Sequence, residues 1–194
     1  MALKPGERVI VVGCGPVGMV LTLALYRAGI PVTLIEKNAG PIDDQRAAAI
    51  QPSSLELLAE LGVTGEIHEK GLISPTFHCR DRVSGDLVAE FDFSQLADMT
   101  EFPYVIQYEQ FKLVKTIMAD IGDTPDVEYR FSCAVTGLEQ NADGVTVSFD
   151  NQDNEAETIT APWIVGCDGF SSVVREAADI EFVGFTYPER FVKI

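Results

Sequence analysis

The chain has 194 residues, and its 46% hydrophobic content suffices for one domain, or for one domain with an added lobe. Its 30 Asp and Glu against 14 Lys and Arg give a formal charge of −16, which argues against partners such as nucleic acid or anionic membranes. Four scattered cysteines without a C-x-x-C pair, and two histidines, argue against a metal site and favour reduced thiols in a cytoplasmic protein.

The first forty residues predict a βαβ unit. Residues 9–12 are a continuous apolar run rich in β-branched side chains, which is typical of a strand buried on both faces. Residues 16–28 have the pattern of a helix that ends at Gly29 and Pro31. Residues 32–35 predict a second buried strand, which we expect to lie parallel to the first.

A three-glycine motif lies between the first strand and the first helix. Gly13 permits a tight turn, Gly15 lets backbone amides approach a pyrophosphate, and Gly18 lets the helix lie close to the strand. Glu36 follows the second strand, where a carboxylate accepts hydrogen bonds from ribose hydroxyls and disfavours a 2′-phosphate. The pattern predicts a site for FAD or NAD rather than NADP; a turn without a ligand is the alternative.

The middle of the chain predicts two more helices and a hairpin. Residues 52–62 predict a helix, with Ser53 and Glu56 at the spacing of a capping box. Residues 77–93 alternate between apolar and polar side chains, which indicates a hairpin with one face in solvent. Residues 107–121 have the spacing of a third helix.

The last third of the chain predicts an antiparallel meander and a final strand and helix. Alternating residues over 127–149 predict the meander, and residues 163–166 predict a buried strand before a short helix at 171–178. Antiparallel hairpins that interrupt a parallel pattern disfavour a simple NAD dehydrogenase. We expect an α/β fold of three layers, with helices on one side of a parallel sheet and the meander on the other.

A second motif, GCDGFSSVVR, follows that final strand. Asp168 comes directly off the strand, Gly169 allows a turn with unusual backbone angles, and Ser171 or Ser172 can cap the following helix. An Asp-Gly pair standing alone is often only a turn. A carboxylate at a strand end is nevertheless well placed to accept hydrogen bonds from hydroxyl groups.

Three stretches together carry a family resemblance: VGCGPVG followed by Glu36-Lys37, then QRAAAIQPSSLELLAELG, then GCDGFSSVVR. The chain resembles the N-terminal part of the class A flavoprotein aromatic hydroxylases, the single-component FAD monooxygenases. The resemblance implies a Rossmann-like FAD-binding domain over residues 1–73 and 104–180. It further implies that residues 74–103 and 181–194 begin a β-rich substrate-binding lobe that is incomplete here.

The resemblance also implies which residues bind FAD. These residues are Gly13, Gly15, Pro16, Val17, Gly18, Glu36, Lys37, Arg46, Gln107, Val135, Asp168 and Gly169. Among them, Arg46 would reach the phosphates, Gln107 the flavin side, Val135 the adenine and Asp168 the ribityl chain. A surface ion pair for Arg46, and a backbone contact at a helix start for Gln107, remain the alternatives. No catalytic residue is assigned, because Ala48 stands where some relatives have an acid.

The implied activity is hydroxylation of a small aromatic substrate with NAD(P)H as co-substrate and O2, through a C4a-hydroperoxyflavin. A further family motif containing Gly-Asp is missing, so we expect a truncated chain that binds FAD poorly and is inactive alone. A homodimer is compatible with this reading. The alternatives are another FAD oxidoreductase of the same fold, such as a reductase, and a non-catalytic nucleotide-binding module.

Overall fold

A computed structural model describes residues 3–43 and 47–188. In chain order, the helices and strands are β1 (Val9–Val12), α1 (Pro16–Arg27), β2 (Val32–Ile35), β3 (Ala49–Ile50), α2 (Pro52–Glu60), α3 (Thr64–Lys70), β4 (Leu72–Ser74), β5 (Thr76–Arg80), β6 (Leu87–Asp92), β7 (Val105–Gln107), α4 (Gln110–Ile121), β8 (Val127–Arg130), β9 (Ala134–Asn141), β10 (Gly144–Asp150), β11 (Ala156–Ala161), β12 (Trp163–Gly166) and α5 (Val173–Ala177). Within the described ranges, no helix has the length and apolar character needed to cross a membrane.

The central layer is a four-stranded sheet in the order β12-β1-β2-β8, and all neighbouring strands in it are parallel. Val9 of β1 stands opposite Val32 of β2 on one side and Trp163 of β12 on the other. Because α1 connects β1 to β2, the predicted βαβ unit is confirmed, with both strands at their expected bounds. The strand predicted before the second motif is confirmed as β12 at its expected bounds. The prediction that this strand is buried is wrong, because β12 is an edge strand and Trp163 is 52% exposed.

Helices cover one face of this sheet. Leu34 of β2 and Val127 of β8 lie in a buried cluster with Leu23 of α1, Leu55 of α2 and Ile117 of α4. α1 begins at a proline, whose fixed backbone angle suits the first helical position, and ends before a glycine with positive φ. The predicted helical layer is therefore confirmed.

An antiparallel sheet, in the order β11-β10-β9, covers the opposite face. Ile10 and Ile35 of the parallel sheet pack in a second buried cluster with Val147 and Phe149 of β10, and Val174 of α5 joins them. Successive side chains of a strand point to opposite faces, which is why neighbouring residues of one strand enter different clusters. The three-layer α/β fold is confirmed.

Two small sheets complete the described chain. β3 and β4 pair antiparallel with the two sides of β7, and β5 pairs with β6 in the predicted hairpin. Asp81 stabilises the hairpin turn, because its carboxylate accepts hydrogen bonds from the backbone amides of Val83 and Ser84, both at 2.8 Å. We expected one face of the hairpin in solvent, but its apolar residues Phe77 and Phe91 are each 56% exposed as well.

Two sequence predictions in the middle of the chain are wrong. Gln107 does not begin the third helix; it ends the strand β7, and α4 begins at Gln110. The short apolar run before Gln107 pairs with strands on both sides, and this long-range pairing overrides the helical spacing. The capping box at Ser53 and Glu56 is also wrong, because Pro52 takes the first turn of α2 and the N-cap, Gln51, makes no side-chain cap bond.

The assignment of residues 127–131 to the meander is a third error. β8 runs over Val127–Arg130 and pairs with β2 as the parallel edge strand of the central sheet. Its alternating pattern is that of any strand with one buried face, so the pattern alone does not identify the sheet to which the strand belongs. The meander consists instead of β9, β10 and β11.

Replacement of Phe149 by Ala should lower the free energy of unfolding by about 4 kcal/mol, since it removes a ring buried between the meander and the central sheet. Thr158→Ala, at an exposed position of the neighbouring strand β11, is the control and should change it by less than about 0.5 kcal/mol. Urea denaturation measures both. Equal effects of the two variants would contradict the described packing of the meander.

Candidate functional site

The turn after β1 brings three backbone segments into direct contact. Gly13 has a φ of +105°, and a Cβ atom at that position would lie 2.4 Å from the carbonyl oxygen of Cys167, the residue after β12. A Cβ atom on Gly18 would lie 2.0 Å from the carbonyl oxygen of Gly13. Neither position has room for a side chain, so the two glycines hold β1, α1 and the end of β12 together.

Gly15 and Pro16 face open space, in contrast to those two glycines. Gly15 is the N-cap of α1, makes no side-chain cap bond, and would have no atom within 4 Å of a Cβ. No acidic residue lies in the first turn of α1, and Val17 in that turn is 69% exposed. The amides at this end carry the positive end of the helix dipole, so the turn offers an accessible place for a phosphate group.

The Glu36 carboxylate is fixed by backbone donors beside this turn. Its Oε2 accepts a hydrogen bond from the Cys14 amide at 2.8 Å. Its Oε1 accepts one from the Asn38 amide at 2.9 Å and another from the Asn38 side-chain amide. Sequence reasoning missed Asn38, although an amide side chain two residues after a strand-end acid could have signalled this contact.

Two protonated groups lie behind the turn. Burial, together with the nearby Glu36 carboxylate, raises the pKa of the Cys14 thiol to about 12. Burial, with a smaller contribution from Cys14, raises the pKa of Tyr129 to about 12, and the Tyr129 hydroxyl has no hydrogen-bond partner among the described residues. Both groups therefore stay neutral at physiological pH.

The second motif follows β12 and lies against the first motif. The Cys167 amide donates to the carbonyl of Val12 at 2.7 Å, which places the next residue, Asp168, beside Gly13. The Asp168 carboxylate accepts from the Ser172 hydroxyl at 2.6 Å and from the Val174 amide at 3.2 Å. Ser172 in turn caps α5, as one of the two predicted alternatives.

These segments border two small cavities that share Glu36. One cavity, of about 90 Å³, is bordered by five of the predicted residues, namely Gly13, Glu36, Lys37, Val135 and Asp168. The other, also of about 90 Å³, lies beside Gly15 and Pro16. Gln110 and Phe111 of α4 border the second cavity and were missed, because the helix was expected to begin three residues earlier.

Gln107, one of the predicted residues, does not border either of these cavities. Gln107 borders a separate cavity between the small sheet of β3, β7 and β4 and the β5–β6 hairpin. Arg46 lies outside the described residues. Gly169, with a φ of +82°, forms the turn after Asp168, as expected from its sequence context.

The residues present fit an adenine dinucleotide. Gly15 leaves the helix end open to a phosphate, and Glu36 presents a carboxylate oriented by amides next to it. Asp168 borders the same cavity as Glu36. An open helix end beside a fixed carboxylate is the donor and acceptor set that recognises a pyrophosphate and a ribose.

Comparison with known proteins identifies the class. Residues 7–194 match the model of the "FAD binding domain" family, and the chain belongs to that family. It is therefore an FAD-binding α/β protein.

The particular relatives are monooxygenases. The chain is 32% identical over 186 residues to para-nitrophenol 4-monooxygenase of Pseudomonas sp. (strain WBC-3), covering 96% of this chain and 46% of that protein. It is also 32% identical to 6-hydroxy-3-succinoylpyridine 3-monooxygenase HspB of Pseudomonas putida, covering 99% of this chain and 48% of that protein. The crystal structure of p-nitrophenol 4-monooxygenase PnpA from Pseudomonas putida DLL-E4 superposes with a TM-score of 0.89 at 31% identity, over 93% of this chain and 45% of that one. The chain thus spans about half the length of the relatives it matches.

Gly13→Ala should lower the free energy of unfolding by more than about 2 kcal/mol, because it combines a positive φ with a clash against the Cys167 carbonyl. Gly15→Ala is the matched control and should change it by less than about 1 kcal/mol, since its Cβ meets no atom within 4 Å. Thermal and urea unfolding compare the two variants. A stable Gly13→Ala variant would contradict the close contact of the two motifs.

Stability should fall as the pH rises from 9 towards 12. The folded chain retains the Cys14 proton up to a pKa of about 12, whereas the ordinary thiol loses it near 9.0, so this contribution is complete below pH 9 and disappears above it. Urea titrations at several pH values should show a shallower alkaline decline for Cys14→Ala than for the unchanged chain. The same decline in both would show that Cys14 does not titrate as described.

Proposed function

We propose that the chain is the FAD-binding part of a flavin-dependent monooxygenase that hydroxylates a phenolic or other aromatic substrate with NAD(P)H and O2. The observation that carries this proposal is the contact of the Asp168 segment with Gly13, beside the fixed Glu36 carboxylate. The two motifs that match this family thereby meet at one edge of the parallel sheet. The relatives at 32% identity are para-nitrophenol 4-monooxygenase and 6-hydroxy-3-succinoylpyridine 3-monooxygenase.

Residues of this chain would bind both the adenosine diphosphate half and the flavin half of FAD. The open amides at Gly15 and Val17 would bind the pyrophosphate, and Glu36 would accept hydrogen bonds from the adenosine ribose. Lys37 and the backbone of Val135 would border the adenine, and Asp168 would face the ribityl chain. FAD, when bound, supplies the redox chemistry by which electrons of NAD(P)H and O2 are used in ring hydroxylation.

Asp168 would have hydrogen-bonding capacity left for the cofactor after its bonds to Ser172 and Val174. Each of its carboxylate oxygens accepts one hydrogen bond from the chain, from Ser172 or from Val174, and a carboxylate oxygen can accept a second. The first bonds orient the carboxylate, and Asp168 borders the cavity shared with Glu36, where the remaining lone pairs would accept from a ligand. Ser172 therefore acts as a positioning residue for Asp168.

The proposed domain division follows the sheets. Residues 1–73 and 104–180 would form the FAD-binding domain, which includes the four-stranded parallel sheet and the meander. Residues 74–103 and 181–194 would begin the substrate-binding lobe, since the β5–β6 hairpin forms a sheet of its own. A reductase of the same fold is the second candidate, because the described site recognises the cofactor and leaves the final electron acceptor undetermined.

We assign the whole protein to the cytoplasm, where reducing conditions keep thiols free, and all four cysteines are free in the structure. A homodimer is part of the same proposal. Light scattering of the whole protein would test it, and a monomer at all concentrations would contradict it.

Binding of FAD and its analogues tests the proposed site. FAD should bind the chain more weakly than micromolar and be displaced by ADP, because the described contacts recognise the adenylate half. FMN, which lacks that half, should not bind. Fluorescence quenching and melting temperature provide the measurements, and no steady NAD(P)H oxidation is expected from this chain alone. Equal binding of FMN, or preference for NAD over FAD, would contradict the proposal.

Glu36→Gln should weaken FAD binding about tenfold, because a charged acceptor of ribose hydroxyls is replaced by a neutral one. Its amide oxygen can still accept from the Cys14 amide, but its NH2 group then faces the donors of Asn38, so the melting temperature of the variant is measured alongside to separate a loss of fold from a loss of binding. Glu139→Gln, at an exposed position of β9, is the charge-matched control and should bind FAD as the unchanged chain does. Unaltered affinity in Glu36→Gln would remove the ribose contact from the proposal.

A further inference from the structure

A third cavity lies between the β5–β6 hairpin and the small sheet of β3, β7 and β4. Its volume is about 470 Å³, within the range of small-molecule sites. The aromatic rings of Phe77, Phe91 and Phe93 border it, and the centroids of the first two lie 6.0 Å apart with a tilt of 43°. Exposed aromatic side chains grouped around a concave surface are typical of a binding site.

One charged pair of the hairpin lies on the face opposite to the two phenylalanines. Phe77 pairs with Phe91 across the two strands, and the next pair, His78 with Glu90, lies on the opposite face because side chains alternate. His78 and Glu90 are joined to each other at 2.7 Å. Among the described residues that border the cavity, none carries a charge.

Polar groups at the cavity are neutral. Ser74, Thr76 and Gln107 border it and can exchange hydrogen bonds with a hydroxyl group. An ionised carboxylate placed here would lose its hydration without gaining a described cation, and that loss is unfavourable. The lining thus matches an uncharged aromatic ring that carries a hydroxyl group.

We propose that this cavity binds the ring of an uncharged phenol, and that Phe77 and Phe91 select against rings that carry a carboxylate. The inference rests on the proposed monooxygenase function and narrows its substrate class. Gln107 borders the cavity, so its side-chain amide can exchange hydrogen bonds with the phenol hydroxyl.

Two phenols of similar size separate charge from shape. NMR titration of the isotope-labelled chain with 4-methylphenol should shift resonances of Phe77, Phe91 and Thr76, and 4-hydroxybenzoate should bind at least about tenfold more weakly. Phe91→Ala should weaken 4-methylphenol binding about fivefold through the lost ring contact. Phe185→Ala, an equal truncation of an exposed ring that does not border the cavity, should leave it unchanged.

A gain of affinity provides a second test that does not depend on losing a contact. Ser74→Arg introduces a cation at the half-buried end of β4 beside the cavity, so 4-hydroxybenzoate should bind at least about fivefold more tightly to it than to the unchanged chain. Ser74→Gln, which is polar but neutral, is the matched control and should produce no such gain. A gain with both variants, or with neither, would overturn the charge argument.

Other results of these titrations would also contradict the inference. Equal binding of both phenols, or shifts confined to residues outside the cavity, would overturn the inference. Competition of riboflavin with 4-methylphenol for the same resonances would assign the cavity to the flavin ring and overturn it as well. FAD binding without phenol binding would contradict this inference alone. Phenol binding without FAD binding would contradict the proposed cofactor site.

Discussion

The close approach of Gly13 to the carbonyl of Cys167 is the constraint on which the rest of the site depends. A Cβ at Gly13 would lie 2.4 Å from that oxygen, so the first turn and the segment after β12 meet backbone against backbone. Gly18 brings α1 equally close to the same turn. Because β1 and β12 are neighbours in the parallel sheet, this contact brings two motifs 150 residues apart to one edge.

The acidic character of the chain explains how the site is built. In a chain with a net charge of −16, the proposed phosphate site at the described turn presents helix amides instead of a group of cationic side chains. The acids of the site are themselves held by donors of the chain: Glu36 by the amides of Cys14 and Asn38, and Asp168 by Ser172 and Val174. These bonds orient each carboxylate before any ligand arrives, which lowers the entropy lost on binding.

The proposed function assigns different tasks to the parallel sheet and to the β5–β6 hairpin. The parallel sheet is packed between buried layers on both sides, and the residues proposed to bind the cofactor lie at its carboxyl edge. The β5–β6 hairpin lies outside these layers, with Phe77 and Phe91 half exposed.

The sequence by itself determined β1, β2 and β12, the glycine turn and the Asp-Gly motif, because continuous apolar runs and glycines with special backbone angles are local signals. Only the tertiary structure decided that β8 belongs to the parallel sheet, that Gln107 ends a strand, and that Asp168 accepts a hydrogen bond from the Val174 amide of α5. The alternation of an edge strand is the same in either sheet, and a three-residue strand is defined by its partners. Such pairings depend on residues far apart in the chain, so no local pattern contains them.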